Sequence, residues 1–168
     1  MAMKKPLIDY VEVDPDIRDL VYAMNELPFV ATQSSCQGHL ADSSTGYDIL
    51  PDEGHKFMKG GSLIFRVDHR YGKSRPFLAN VKGLEEKYHF VSLHQHELTD
   101  PAVIRGVYVL DLDCSDLTQA YLIDAENDPF DILYKKRCQV PTDMGRRRLE
   151  EFGRVWPDLA TVVEGYKM

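Results

Sequence analysis

The chain has 168 residues and a mass of 19.2 kDa, with 43% apolar and 28% charged side chains, which suits one domain, residues 1–168, with a substantial core. A net charge of −7 and a pI near 5.3 exclude a surface coated in basic residues, so extended nucleic-acid binding is not expected, although a local basic pocket is allowed. Cys36, Cys114 and Cys138 are odd in number and contain no Cys-x-x-Cys pair, which argues against a disulfide framework and for a reducing, cytoplasmic compartment. Asp9, Glu12, Asp14 and Asp16 interrupt any apolar leader, and no apolar run approaches the ~20 residues of a membrane helix.

Asp14-Pro15 reads as a helix start, an acidic cap followed by proline at the first helical position. Ile17, Leu20, Val21, Met24 and Leu27 then recur at helical spacing, and Pro28 closes the helix. Residues 29–34 read as a strand. It runs into Thr32-Gln33-Ser34-Ser35-Cys36-Gln37-Gly38-His39, where hydroxyls, a thiol, a glycine and an imidazole crowd one turn. Residues 37–61 are polar and punctuated by Gly46, Pro51, Gly54, Gly60 and Gly61. A structureless segment of that length next to a reactive turn suggests a lid or substrate loop, most mobile over 40–60. Residues 63–69 alternate as a strand ending in His69, and Pro76 opens a second helix carrying Phe77, Val81, Leu84 and Tyr88.

Residues 88–97 form a strand with Ser92, His94 and His96 on one face, and 107–112 a nearly all-apolar strand suited to a sheet interior. Ser115-Asp116 predicts the cap of a third helix with Leu117, Ala120 and Tyr121, and 132–134 a short strand. Leu149, Phe152, Trp156, Leu159, Val163 and Tyr166 predict a C-terminal helix kinked or broken at Pro157, with Arg146-Arg147-Arg148 on its solvated face. Helices and strands mix without βαβ repetition, so the class is α+β, a single mixed sheet flanked by helices, and non-Rossmann. No Gly-x-Gly-x-x-Gly, Walker loop, Gly-x-Ser-x-Gly elbow or His-Glu-x-x-His helix is present.

Three groups carry potential chemistry. Cys36 and His39 suit a nucleophile pair or two metal ligands, against a buried thiol beside a polar loop histidine. His94 and His96 share a strand face and would complete a tetrahedral zinc or other transition-metal site with Cys36 and His39. Arg66, Arg70, Lys73 and Arg75, interleaved with His69 and Tyr71, suit a phosphate or a base, against a solvated charged turn.

The Ser34-Ser35-Cys36-Gln37-Gly38 turn, with a later strand ending in His69, resembles the tRNA wybutosine-synthesizing protein 3 family over about residues 25–127. That resemblance implies a non-Rossmann α+β fold and methyl transfer from S-adenosylmethionine to a modified guanine of tRNA. It implies Ser34, Ser35, Cys36, Gly38 and His69 as site residues. The family's arginine after the glycine is here His39, which lacks the bidentate guanidinium grip.

The expectation is therefore a group-transfer enzyme similar to the wyosine methyltransferases, using S-adenosylmethionine on a nucleotide-like or other small-molecule substrate. His39, His69 and Cys36 would be catalytic, and Ser34, Ser35, Gly38, Arg66 and Arg70 would bind substrate. The alternative is a metal-dependent binding or regulatory module built on Cys36, His39, His94 and His96. Either reading requires the histidines to converge on the turn.

Overall fold

A computed structural model describes residues 3–42, 50–96, 105–117, 121–123 and 136–167, with 121–123 and 136–138 described as backbone only. A single 3-10 turn, Pro15–Ile17, leads into α1 (Arg18–Glu26), whose Leu20, Val21, Ala23 and Met24 are buried. Proline at the first position and the apolar stripe place this helix where the sequence predicts it. Then come β1 (Val30–Cys36), β2 (His39–Ala41), β3 (His55–Lys59), β4 (Gly61–Asp68), α2 (Ser74–Lys82) and α3 (Leu84–Lys87). The chain continues through β5 (Val91–His96), β6 (Arg105–Leu112), a 3-10 turn at Ser115–Leu117, β7 (Tyr121–Ile123), β8 (Lys136–Pro141) and α4 (Thr142–Glu164).

The fold is α+β, but its strands form two four-stranded antiparallel sheets rather than one mixed sheet. The first has the order β1-β4-β6-β5, the second β2-β3-β8-β7. Strand β6 lies inside the first sheet, as its apolar run requires. One face of that sheet presents Leu63, Phe65, Val67, Leu110 and Leu112, all fully buried, to Met24, Phe77, Val81, Phe152, Val155 and Leu159 of the helices. Burying a side chain of that size contributes about 1.5–3 kcal/mol, so this layer is a large part of the stabilising core.

The chain passes from one sheet to the other at three corners. Gln37–Gly38 links β1 to β2, Gly60 links β3 to β4, and Asp113–Leu117 leads out of β6. The first two are tightly stacked. A Cβ on Gly38 would lie 2.8 Å from Phe152 Cδ2, one on Gly61 3.1 Å from Trp156 Cζ2, and one on Gly60 2.4 Å from the Leu112 carbonyl. Helix α4 spans all of this: its 23 residues run roughly 35 Å at the α-helical rise, with Gly145 against Leu40 and Val140 and Trp156 against Gly61.

Four expectations change. The 37–61 segment is not a lid where it is described: β2 and β3 form an antiparallel pair, and β3 also pairs with β8. Ser115-Asp116 starts one 3-10 turn, not a helix, and Tyr121 begins a strand. Helix α4 continues through Pro157 without a break. Arg148 is buried with 4% exposure, whereas Arg146 and Arg147 are exposed. Consecutive helical residues point 100° apart, so a basic triplet cannot share one face. The expected strand at 132–134 lies outside the described residues. Among the described residues no helix is long and apolar enough to cross a membrane.

Candidate functional site

The first corner is built from two segments. Asp14 occupies the cap position before Pro15, yet its carboxylate makes no capping hydrogen bond. Its Oδ2 instead accepts from the backbone N–H of Gln37 at 2.9 Å and sits 3.1 Å from His39 Nε2. The reverse stitch is a hydrogen bond from the Asp16 N–H to Gln37 Oε1 at 3.1 Å. Gly38 has φ +95°, a left-handed conformation that costs other residues about 1–3 kcal/mol. The tight approach of Phe152 excludes a Cβ there as well. The corner is therefore held by its own contacts.

Asp14, Cys36 and His39 each present one donor atom, all within 4.8 Å of one another. The three differ in access: Cys36 is 6% exposed, while the side chains of Asp14 and His39 are 25% and 47% exposed. Burial pushes the Cys36 thiol above its ordinary range; the Gly38 N–H and the Lys59 charge oppose that shift, and the Asp14 carboxylate adds to it. With Asp14 accepting from Nε2, the imidazole keeps Nδ1 as its lone-pair nitrogen, a tautomer assigned from the hydrogen bond.

Strand β1 carries a bulge that the sequence does not announce. The register steps from Thr32↔Phe65 to Ser34↔Ile64, leaving Gln33 outside the pairing. That extra residue flips the alternation, so Ser34 shares the Ile64–Arg66 face of the sheet while Ser35, opposite Leu63, takes the helix-covered face. Ser34 is exposed and Ser35 half-buried. The two serines thus separate instead of forming one anion cradle.

The histidines do not converge. Cys36 pairs with Ser62, seven residues before His69 on the same run of chain, a separation of roughly 23 Å at strand rise. His69 Nε2 instead bonds Tyr108 Oη at 2.8 Å. His94 aligns with Val109, then Ile64, then Ser34, three strand spacings or roughly 14 Å from β1. It sits on the edge strand, bonded to Ser92 Oγ at 2.8 Å, and His96 is exposed beyond it. A metal set of Cys36, His39, His94 and His96 is therefore not available, and His69 is not a partner of His39.

Arg70 is likewise committed elsewhere. It grips the fully buried Asp68 carboxylate through Nε and Nη2, and Arg105 approaches the same carboxylate at 3.8 Å. These guanidiniums hold Asp68 below the usual carboxylate range. Arg66 projects from the exposed face of β4 beside Gln33.

Sequence reasoning missed Asp14, because Asp-Pro before an apolar stripe is the ordinary sign of a cap. Its partners Gln37 and His39 lie more than twenty residues away in the chain, so no local pattern marks the pairing. No family model, no curated protein and no solved structure matches this chain.

Proposed function

We propose that Asp14, Cys36 and His39 form a three-ligand centre for a zinc-class transition metal, in a metal-dependent binding or regulatory module. The observation that carries this is the grouping of a thiol, an imidazole and a carboxylate within 4.8 Å at a braced corner. Thiolate, imidazole and carboxylate are the zinc donor types, and three protein ligands leave a fourth position for water or a ligand. A tetrahedral ion with ~2.0–2.3 Å bonds sets donor separations of roughly 3.3–3.7 Å. The Asp14–His39 pair, at 3.1 Å, is already near that range, and ligation through Nε2 would require its proton to move to Nδ1 so that Nε2 and the carboxylate both face the ion. Metal would supply a Lewis-acidic position, and the chain's part is to hold the donors in register and keep the thiol from bulk water.

The test is zinc titration of untagged protein by calorimetry, with elemental analysis. One equivalent should bind, and Cys36→Ser or His39→Ala should weaken it by about a hundredfold or more. Burial holds the Cys36 proton on at neutral pH, so binding must expel it. Affinity should then rise about tenfold per pH unit through the neutral range, because the thiolate is the ligand. A flat pH profile, or full affinity in the Cys36→Ser protein, would sink the assignment.

The Asp14–His39 pairing also supports a second reading, the methyl-transfer enzyme implied by the resemblance. A carboxylate on Nε2 leaves Nδ1 to take a proton and stabilises the imidazolium that results. On that reading S-adenosylmethionine binds to the metal-free protein, and Asp14→Asn lowers turnover without abolishing cofactor binding. Failure of calorimetry to detect S-adenosylmethionine removes it.

A further inference from the structure

We propose that a groove between the N-terminal segment and the exposed face of the first sheet binds a small phosphate-bearing molecule, with Lys4 and Arg66 as its anion-contacting side chains. The groove encloses about 310 Å³ and is lined by Lys4, Lys5, Arg66 and Arg105, with Met3 and Gln33 among its other walls. That volume is at the small end of ligand sites, which run from ~300 to ~1,000 Å³.

The charge count carries the argument. Among the described residues, neither Lys4 nor Arg66 has a carboxylate partner. The neutral Gln33 amide, in the orientation that satisfies both groups, accepts from Arg66 Nε at 2.7 Å and Nη2 at 2.9 Å. Among the described residues Lys5 donates to the backbone carbonyls of Leu27 and Val30. Arg105 shares the Asp68 carboxylate with Arg70, so two guanidiniums face one anion. Four cations therefore meet around the groove against a single carboxylate that is itself fully buried.

The geometry suits the same ligand. Lys5 ties the N-terminal segment to the end of α1 and the start of β1 by its bonds to the Leu27 and Val30 carbonyls, which fixes one wall. The side chain of Met3, 4% exposed, packs there and offers an apolar surface beside the cations. Guanidinium holds phosphate in bidentate fashion, and an apolar wall beside it accepts the uncharged part of the molecule. The overall acidity of the chain and the groove's size favour a compact phosphate monoester over a long polyanion. Ser34 lies on the same sheet face, two residues along from the Arg66 level by register. The inference stands on its own and does not need a metal at that corner.

The test is calorimetry and thermal shift with AMP, inorganic pyrophosphate and, as the uncharged control, adenosine. AMP and pyrophosphate should bind one to one and raise the melting temperature, with affinity falling as salt rises. Adenosine should not bind measurably. The Lys4→Gln/Arg66→Gln double variant should lose at least tenfold in AMP affinity while melting like the parent, since both side chains are exposed. Lys4→Gln alone supplies the same comparison should the double variant misfold. No saturable binding of either phosphate probe at millimolar concentration overturns the proposal. So does equal binding of adenosine, undiminished AMP affinity in the variants, or binding of a single-stranded oligonucleotide without AMP.

Discussion

Two corners between the sheets are each organised by an aspartate, and they differ in what is left over. At the corner after β6, Asp116 takes Arg148 in a two-pronged ion pair, 2.7 Å at each prong. The same guanidinium donates to the Asp113 carbonyl at 2.9 Å and lies 4.8 Å over the Phe90 ring. The Arg148 side chain is 5% exposed. That carboxylate is matched by a full charge, so nothing remains to bind. At the corner after β1, Asp14 meets a backbone N–H and an imidazole, neither of which must carry charge, and a thiol stands close by. The lesson is that pairing decides use: a neutralised carboxylate braces the fold, and an under-neutralised one is a candidate ligand.

Breaking the closed corner should have the largest effect. Asp116→Ala leaves a buried guanidinium without its counter-charge, and the remaining approach of Glu151 at 3.8 Å does not replace it. The expected loss is about 3 kcal/mol of stability, read from urea unfolding. Asp14→Ala removes hydrogen bonds at a partly exposed site and should cost about 1 kcal/mol at most. Equal losses at the two corners would erase the distinction drawn between them.

Next comes the backbone of the open corner. Gly38→Ala introduces a side chain at φ +95° whose Cβ would sit 2.8 Å from Phe152. The expected cost is about 2 kcal/mol, from the left-handed conformation and from displacement of a core ring. It should also weaken zinc more than Asp116→Ala does, because only Gly38 sets the spacing between Cys36 and His39. A variant as stable as the parent would mean that the corner is looser than its contacts indicate.

How much of this could be read from the sequence depended on whether the signal was local. The α1 stripe from Ile17 to Leu27, the interior strand β6 and the stripe of α4 were all legible, because burial of a periodic face is a local property. The α+β class followed from their order. The hairpin of β2 and β3 was not legible: His39 and Ala41 are exposed, so no alternation marks them, and β3 is held by a partner some eighty residues later in β8. Asp14 and Asp116 both look like caps, and in each case a long-range partner claims the carboxylate instead. The Ser34–His39 turn was found as a dense site, but its company was not. Histidine convergence depends on register, and register is set across the sheet rather than along the chain.

The smallest effect expected is at the two histidines that sequence spacing most favoured as a metal pair. His94 and His96 are exposed on the edge strand β5, and among the described residues His94 bonds its neighbour Ser92. Surface substitutions without buried partners usually change stability by less than about 0.5 kcal/mol. The His94→Ala/His96→Ala protein should therefore unfold within that margin of the parent. Roughly 14 Å separates His94 from β1 by register, several times a metal–ligand bond, so zinc affinity and stoichiometry should be unchanged as well. A drop of tenfold or more in zinc affinity would place the ion at β5, and the aspartate-centred corner would then be, like the one at Arg148, a brace.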